Sequence, residues 1–127
     1  MAGGRGSANS VAATALVMMV AVTLLVDVAQ AASYNVPWTI PFNANWLQGK
    51  TFKVGDTLVF KFDKNKHDVM EVTKNGYDTC QPQSTGNGRK AASPATFNLK
   101  PGGTHYFICT KPGHCQGGMK TAVTTST

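Results

Sequence analysis

The chain has 127 residues, with 12 Lys plus Arg against 6 Asp plus Glu and a net charge of +6. That length leaves room for one domain and excludes a multidomain assembly. The positive balance suits acidic partners, but the lysines are scattered and no arginine-rich run or aromatic-stacking motif joins them, which excludes nucleic acid.

In chain order, the first segment is a targeting signal rather than structure. Arg5 supplies a positive start, residues 11–26 are almost wholly apolar, and Ala29-Gln30-Ala31 places small residues where a signal peptidase reads them. The apolar run is shorter than the ~20 residues of a spanning helix. Residues 1–31 are therefore expected to be a secretory signal, cut after Ala31 or at a neighbouring bond, and residues 32–127 the mature domain without a membrane span. Cleavage removes Arg5 and Asp27 and leaves the net charge at +6.

The mature segment shows little helical periodicity. An opening strand is expected over residues 34–46. Gly55-Asp56 signals a turn. Leu58, Phe60 and Phe62 then alternate with Val59 and Lys61, which predicts a strand with one core face. Residues 69–72 look extended after a Lys/Asn-rich turn. Residues 80–94 are filled with Gly, Ser, Asn, Gln and Pro and read as a loop, with a short helical turn near Asp78. Ala95, Phe97 and Leu99 alternate with Thr96 and Asn98, and Pro101-Gly102-Gly103 turns the chain. Residues 104–109 and 120–125 are the last strands. Short strands at close spacing predict an all-β protein, a sandwich or barrel with Greek-key connections and short helical turns.

The chemistry concentrates in residues 109–119, where Cys109, His114 and Met119 recur at five-residue steps. Pro112, Gly113, Gly117 and Gly118 let the chain bend between them. A thiolate, two imidazoles and a distant thioether form the blue-copper donor set, and His67 is the expected second imidazole. The expected metal ligands are thus His67, Cys109, His114 and Met119, around one mononuclear copper ion.

Three cysteines in a secreted chain leave one unpaired. If His114 faces the metal, Cys115 faces away in an extended segment. Cys115 is then free to bridge Cys80, leaving Cys109 as the thiolate within the Cys/His/Met loop. His105 lies outside the ligand spacing and reads as a structural or surface residue. Trp38, Trp46, Met70 and most of the Phe and Tyr residues read as packing.

These residues reach a known family. Phe52-Lys53-Val54-Gly55-Asp56-Thr57-Leu58-Val59-Phe60, His67-Asp68-Val69, Tyr77-Asp78-Thr79-Cys80, Tyr106-Phe107-Ile108-Cys109 and Pro112-Gly113-His114-Cys115-Gln116-Gly117-Gly118-Met119-Lys120 resemble the phytocyanins, the extracellular plant branch of the cupredoxins, and within them the plantacyanins or basic blue proteins. The resemblance covers nearly the whole mature chain. It implies copper at His67, Cys109, His114 and Met119, a Cys80–Cys115 disulfide, and residence outside the cell or in the cell wall. Met119 departs from the Gln of stellacyanins. Asp68 stands where many relatives carry Asn, and a side chain there can hydrogen-bond across to the Cys109 loop. The chain runs on only briefly past the last strand, without a Pro/Ser-rich stalk or apolar tail, so no lipid anchor is expected.

The leading functional expectation is a monomeric one-electron carrier with an unnamed redox partner, its electrons passing by His114 near the surface. The alternative is a basic extracellular or cell-wall interaction or signalling protein, with copper structural or redox-sensing. Its partner would be acidic polysaccharide or an acidic protein face. Enzymes fit less well. A Cys109/His114 hydrolase lacks an orienting third residue, a multicopper oxidase needs more than three histidines, and zinc prefers another thiolate or His to Met.

Overall fold

The computed structural model describes residues 31–126; the expected secretory signal in 1–30 lies outside them. Among the described residues eight strands form two sheets. One contains β1 (Ser33–Pro37), β3 (Thr57–Lys61) and β6 (Ala95–Asn98), in the order β1-β3-β6. The other contains β2 (Phe52–Lys53), β4 (Val69–Val72), β5 (Ser84–Lys90), β7 (Thr104–Ile108) and β8 (Lys120–Ser126), in the order β2-β8-β7-β4-β5. The chain crosses between the sheets from β1 to β2, β2 to β3, β3 to β4, β5 to β6 and β6 to β7.

Side-chain alternation explains the layering. In β3, Leu58 and Phe60 point inward while Thr57, Val59 and Lys61 do not. Leu58 sits opposite Phe97 and Phe60 opposite Ala95 on the antiparallel β6. From the facing sheet Val69, Phe107 and Val123 complete the same buried cluster. Phe60 is its centre, with ring centroids 5.0 Å from Trp38, 5.5 Å from Phe97 and 5.2 Å from Phe107. Each such ring contributes roughly 1.5–3 kcal/mol by leaving water. The turn before β3 is closed by Asp56, whose carboxylate accepts the Ala32 and Lys53 amides at 2.9 Å each.

A second, smaller cluster lies on the outer face of the five-stranded sheet. Met70, Val72, Ile108 and Cys115 pack there with Tyr77, Cys80 and Tyr106. The short helix α1 (Lys74–Thr79) covers it, with the Thr73 side chain accepting the Gly76 amide as N-cap and Cys80 closing its end. Helix α1 includes Asp78, where a helical turn is expected from the sequence.

Two expectations need correction. Residues 80–94 are not all loop, because Ser84–Lys90 forms β5 at the sheet edge, paired with β4 through Val69 opposite Lys90 and Met70 opposite Arg89. Nearly all of β5 is exposed, so no apolar alternation marks it, and its polar composition suits a guarded edge. The region 34–46 is not one strand either. β1 ends at Pro37, and a 3₁₀ turn at Ala44–Leu47 follows, capped by the Asn43 side chain. That turn buries Trp46, whose indole donates to the Thr121 hydroxyl at 3.1 Å.

Candidate metal centre

The end of the sandwich beyond β7 and before β4 gathers the chemically interesting side chains. His67 is set by a tight turn. The Asp63 carbonyl accepts the His67 amide at 2.9 Å, and the Asp63 carboxylate accepts the Asn65 amide at 3.0 Å. The imidazole is thereby delivered just ahead of β4.

Residues 109–119 follow β7 as a succession of tight turns, with the bends expected at the Pro and Gly residues but without the locally extended backbone expected at His114 and Cys115. The Lys111 carbonyl accepts the His114 amide at 3.1 Å, the Gly113 carbonyl accepts the Gly117 amide at 3.0 Å and the Cys115 carbonyl accepts the Gly118 amide at 2.9 Å. Gly113 and Gly118, at φ 78° and 100°, take backbone conformations that disfavour a Cβ. The loop closes on itself where the Cys109 amide donates to the Met119 carbonyl at 3.1 Å and the Met119 amide to the His114 carbonyl at 2.9 Å. Turn geometry, rather than strand alternation, separates Cys115 from Cys109. Cys115 faces the outer cluster and is bonded to Cys80, with Cα atoms 5.7 Å apart. Cys109 is the free cysteine, buried in the main core.

Ligand atoms of His67, Cys109 and His114 all lie within 4.8 Å of one another. The Nδ1 atoms of the two histidines are 3.2 Å apart, and the Cys109 Sγ is 3.4 Å from the His114 Nδ1. Met119 is fully buried in the same cluster as Cys109, tied to it by backbone. His105 stands apart, its ring held by Glu71 and the Lys100 carbonyl.

The electrostatics suit a cation. Burial, then the neighbouring His114, holds the His67 imidazole below its ordinary value. Burial likewise pushes the Cys109 thiol up, with the Asp68 carboxylate adding to the rise, while amides of Asp68 and Lys111 donating to the sulfur act the other way. Two imidazole nitrogens and a sulfur converge where protons are disfavoured on one ring and the thiol resists ionisation without a counter-charge. A soft or borderline metal ion resolves both conditions, so the donor set fits copper.

The surroundings hold this cluster in place. Asp68, fully buried, accepts the Thr110 amide on Oδ1 at 2.7 Å and the Thr110 hydroxyl on Oδ2 at 2.5 Å. This is the cross-loop bond anticipated for residue 68. Burial works against the Asp68 carboxylate, but the two Thr110 bonds and the Arg89 guanidinium outweigh it and hold the group below the usual range. The Trp38 indole donates to the Asp68 carbonyl at 2.8 Å. Neither Trp38 nor Arg89 is singled out by sequence spacing; the one signal is that Arg89 is the sole arginine after Arg5. Outside, a cleft of about 510 Å³ is lined by Trp38, Thr39, Ile40, Asp63, Lys66, His67 and His114. His114 is the more exposed of the two imidazoles.

The chain is similar to known proteins. The family of the plastocyanin-like domain matches residues 38–119. Chemocyanin of Lilium longiflorum is 41% identical over 139 residues, covering 98% of each chain. A basic blue protein of Arabidopsis thaliana is 40% identical, again over 98% of each chain. Among solved structures, the cucumber basic protein, a blue copper protein, aligns with a TM-score of 0.65 and 37% identity over 74% of this chain and 99% of that one. Spinach plantacyanin aligns at 0.64 and 38% over the same shares. The chain belongs to the phytocyanin family of blue-copper electron-transfer proteins, carriers rather than enzymes, whose cofactor is one mononuclear copper ion.

Proposed function

We propose that His67, Cys109 and His114, together with the thioether of Met119, would hold the copper. The observation that carries this reading is the convergence of two imidazole nitrogens and one Sγ within 4.8 Å. Bound copper supplies a one-electron Cu(I)/Cu(II) couple. The chain's own residues do the rest. The Asp68 and Lys111 amides support the Cys109 sulfur. The β-sandwich and the Thr110–Asp68 bonds keep the donors fixed, so little rearrangement accompanies a change of charge. His114, at the cleft wall, offers the route for electrons to the surface.

Copper-loaded protein is expected to be intensely blue from thiolate-to-copper charge transfer. Cys109→Ser abolishes the colour, and Met119→Gln keeps it while lowering the potential. A colourless loaded protein, or a blue Cys109→Ser variant, sinks the ligand assignment. The hydrolase reading finds no support, since a buried thiol pushed up by its surroundings is a poor nucleophile.

Residues 1–31 are assigned to secretion on the pattern of Arg5, the apolar run and Ala29-Gln30-Ala31, and the site of action is extracellular, in the cell wall. Among the described residues no helix is long and apolar enough to cross a membrane. N-terminal sequencing of secreted protein checks this, and a mature chain retaining residues 11–26 overturns it.

The net charge of +6 favours a second role as a monomer docking on acidic polysaccharide or an acidic protein face. Retention on immobilised polyuronate that fades with salt and survives copper removal supports it; no retention at low salt removes it.

A further inference from the structure

Asp68 is the one fully buried carboxylate among the described residues. A buried charge persists only when paired and hydrogen-bonded, and every partner of this one is informative. Thr110, which accounts for two of its bonds, directly follows Cys109. Asp68 itself directly follows His67. The carboxylate therefore clamps the two segments that deliver the thiol and one imidazole. Its third partner comes from elsewhere: the Arg89 guanidinium donates to Oδ2 at 3.0 Å from the edge strand β5. The pair is asymmetric, with the Asp68 side chain at 0% exposure and that of Arg89 at 51%.

The negative charge sits beside Cys109, held against the backbone and side chain of the very next residue, Thr110. In a low-dielectric interior such a field is strong. A lone carboxylate there stabilises the more positive, oxidised state of a metal bound at this site. A cation against the carboxylate offsets that field, because from a distance the pair acts as a dipole rather than a charge.

We propose that Arg89 is a positioning and tuning residue of the electron-transfer site: its ion pair with Asp68 raises the reduction potential and steadies Thr110, and through it Cys109. The inference rests on the reading of His67 and Cys109 as copper ligands. It assigns β5, otherwise an exposed edge strand, a part in the redox chemistry.

The test is a double-mutant cycle on copper-loaded protein, with potentials measured by spectroelectrochemistry in neutral to mildly alkaline, low-salt buffer. Arg89→Met is expected to lower the potential and Asp68→Asn to raise it. The double variant should lie nearer the native value than either single one, and Arg89→Lys should stay close to native. A native potential in Arg89→Met, or a lowered one in Asp68→Asn, overturns the tuning role. Arg89→Met leaves the buried carboxylate without its cation; should it misfold, Asp68→Asn removes the opposite charge and reads the same field by itself. A second measurement needs no copper. The rate at which an added disulfide reagent labels Cys109 in copper-free protein should rise several-fold in Arg89→Met and return in Arg89→Lys. An unchanged rate overturns the steadying role. Failure of the ligand reading looks different: native protein would then take up no copper and show no blue band, whatever stands at residue 89.

Discussion

His105 and His114 lie on either side of Cys109, one within β7 and one in the loop beyond it, and their surroundings are opposite. His105 is saturated by protein: Nε2 donates to the Lys100 carbonyl at 2.6 Å, and Nδ1 faces the Glu71 carboxylate at 3.3 Å. His114 meets no carboxylate or carbonyl through Nδ1. That atom faces the Nδ1 of His67 and the sulfur of Cys109, at 3.2 and 3.4 Å. A ring whose nitrogens are both committed to acceptors is a structural cross-link. A ring whose nitrogen faces other lone-pair donors is short of a cation. The side chain is the same, and what lies opposite it decides the role.

The contrast is open to attack from the loop side first. Cys115, next to His114, is tied to Cys80 across 35 residues, whereas nothing covalent braces His105. Replacing both cysteines by alanine should cost about 3–4 kcal/mol on the chain-entropy estimate, read as a lowered denaturant midpoint. Copper affinity should fall with it while the Glu71–His105–Lys100 links persist. A variant with native stability contradicts the bracing role.

Next in size is the loss of a proposed ligand. His114→Ala should weaken copper binding by roughly 100-fold or more, about 2.8 kcal/mol at 1.4 kcal/mol per tenfold, measured by competition with a chelator. The stability of copper-free protein should change little. His105→Ala should do the reverse. It leaves the Glu71 carboxylate and the Lys100 carbonyl without their partner, which costs about 2 kcal/mol by denaturant unfolding, and the blue band should be untouched. If His105→Ala bleaches the colour, or His114→Ala unfolds the protein while sparing the copper, the distinction fails.

Spacing alone separates these histidines in the sequence, and it does so without a physical reason; the reason is the set of atoms opposite each ring. The same limit applies across the chain. Leu58 and Phe60 announce β3 because one face is buried and the other is not. Ser84–Lys90 announces nothing, because an edge strand that is wet on both faces carries no apolar alternation. Arg89 was therefore out of reach: its partner Asp68 is 21 residues away, and the pairing of β5 with β4 that joins them leaves no mark in composition. The gathering of His67, Cys109 and His114 was foreseeable because a Cys/His/Met loop has chemical meaning at short range. The disulfide was legible too, although its cause lies in the turns of residues 109–119 and not in an extended backbone.

The smallest expected effect concerns the outward face of β7, beside His105. Tyr106 packs there on Tyr77 of helix α1, with ring centroids 5.2 Å apart. Burial first, then Asp78 and Tyr106, pushes the Tyr77 hydroxyl above the ordinary tyrosine range. The unfolded chain ionises this group more readily than the folded one. Its contribution to stability is thus complete below about pH 10 and declines above it, until the folded protein ionises as well. Tyr77→Phe should remove that part of the alkaline loss and leave stability at neutral pH nearly unchanged, checked by denaturant midpoints across the range and by phenolate absorbance. Copper loading should not move the transition, since Tyr77 belongs to the outer cluster and the expected ligand Cys109 to the main core. A copper-dependent shift of the Tyr77 titration would mean that the two faces of β7 are electrostatically coupled, and that the division between its structural and metal-binding sides is drawn too sharply.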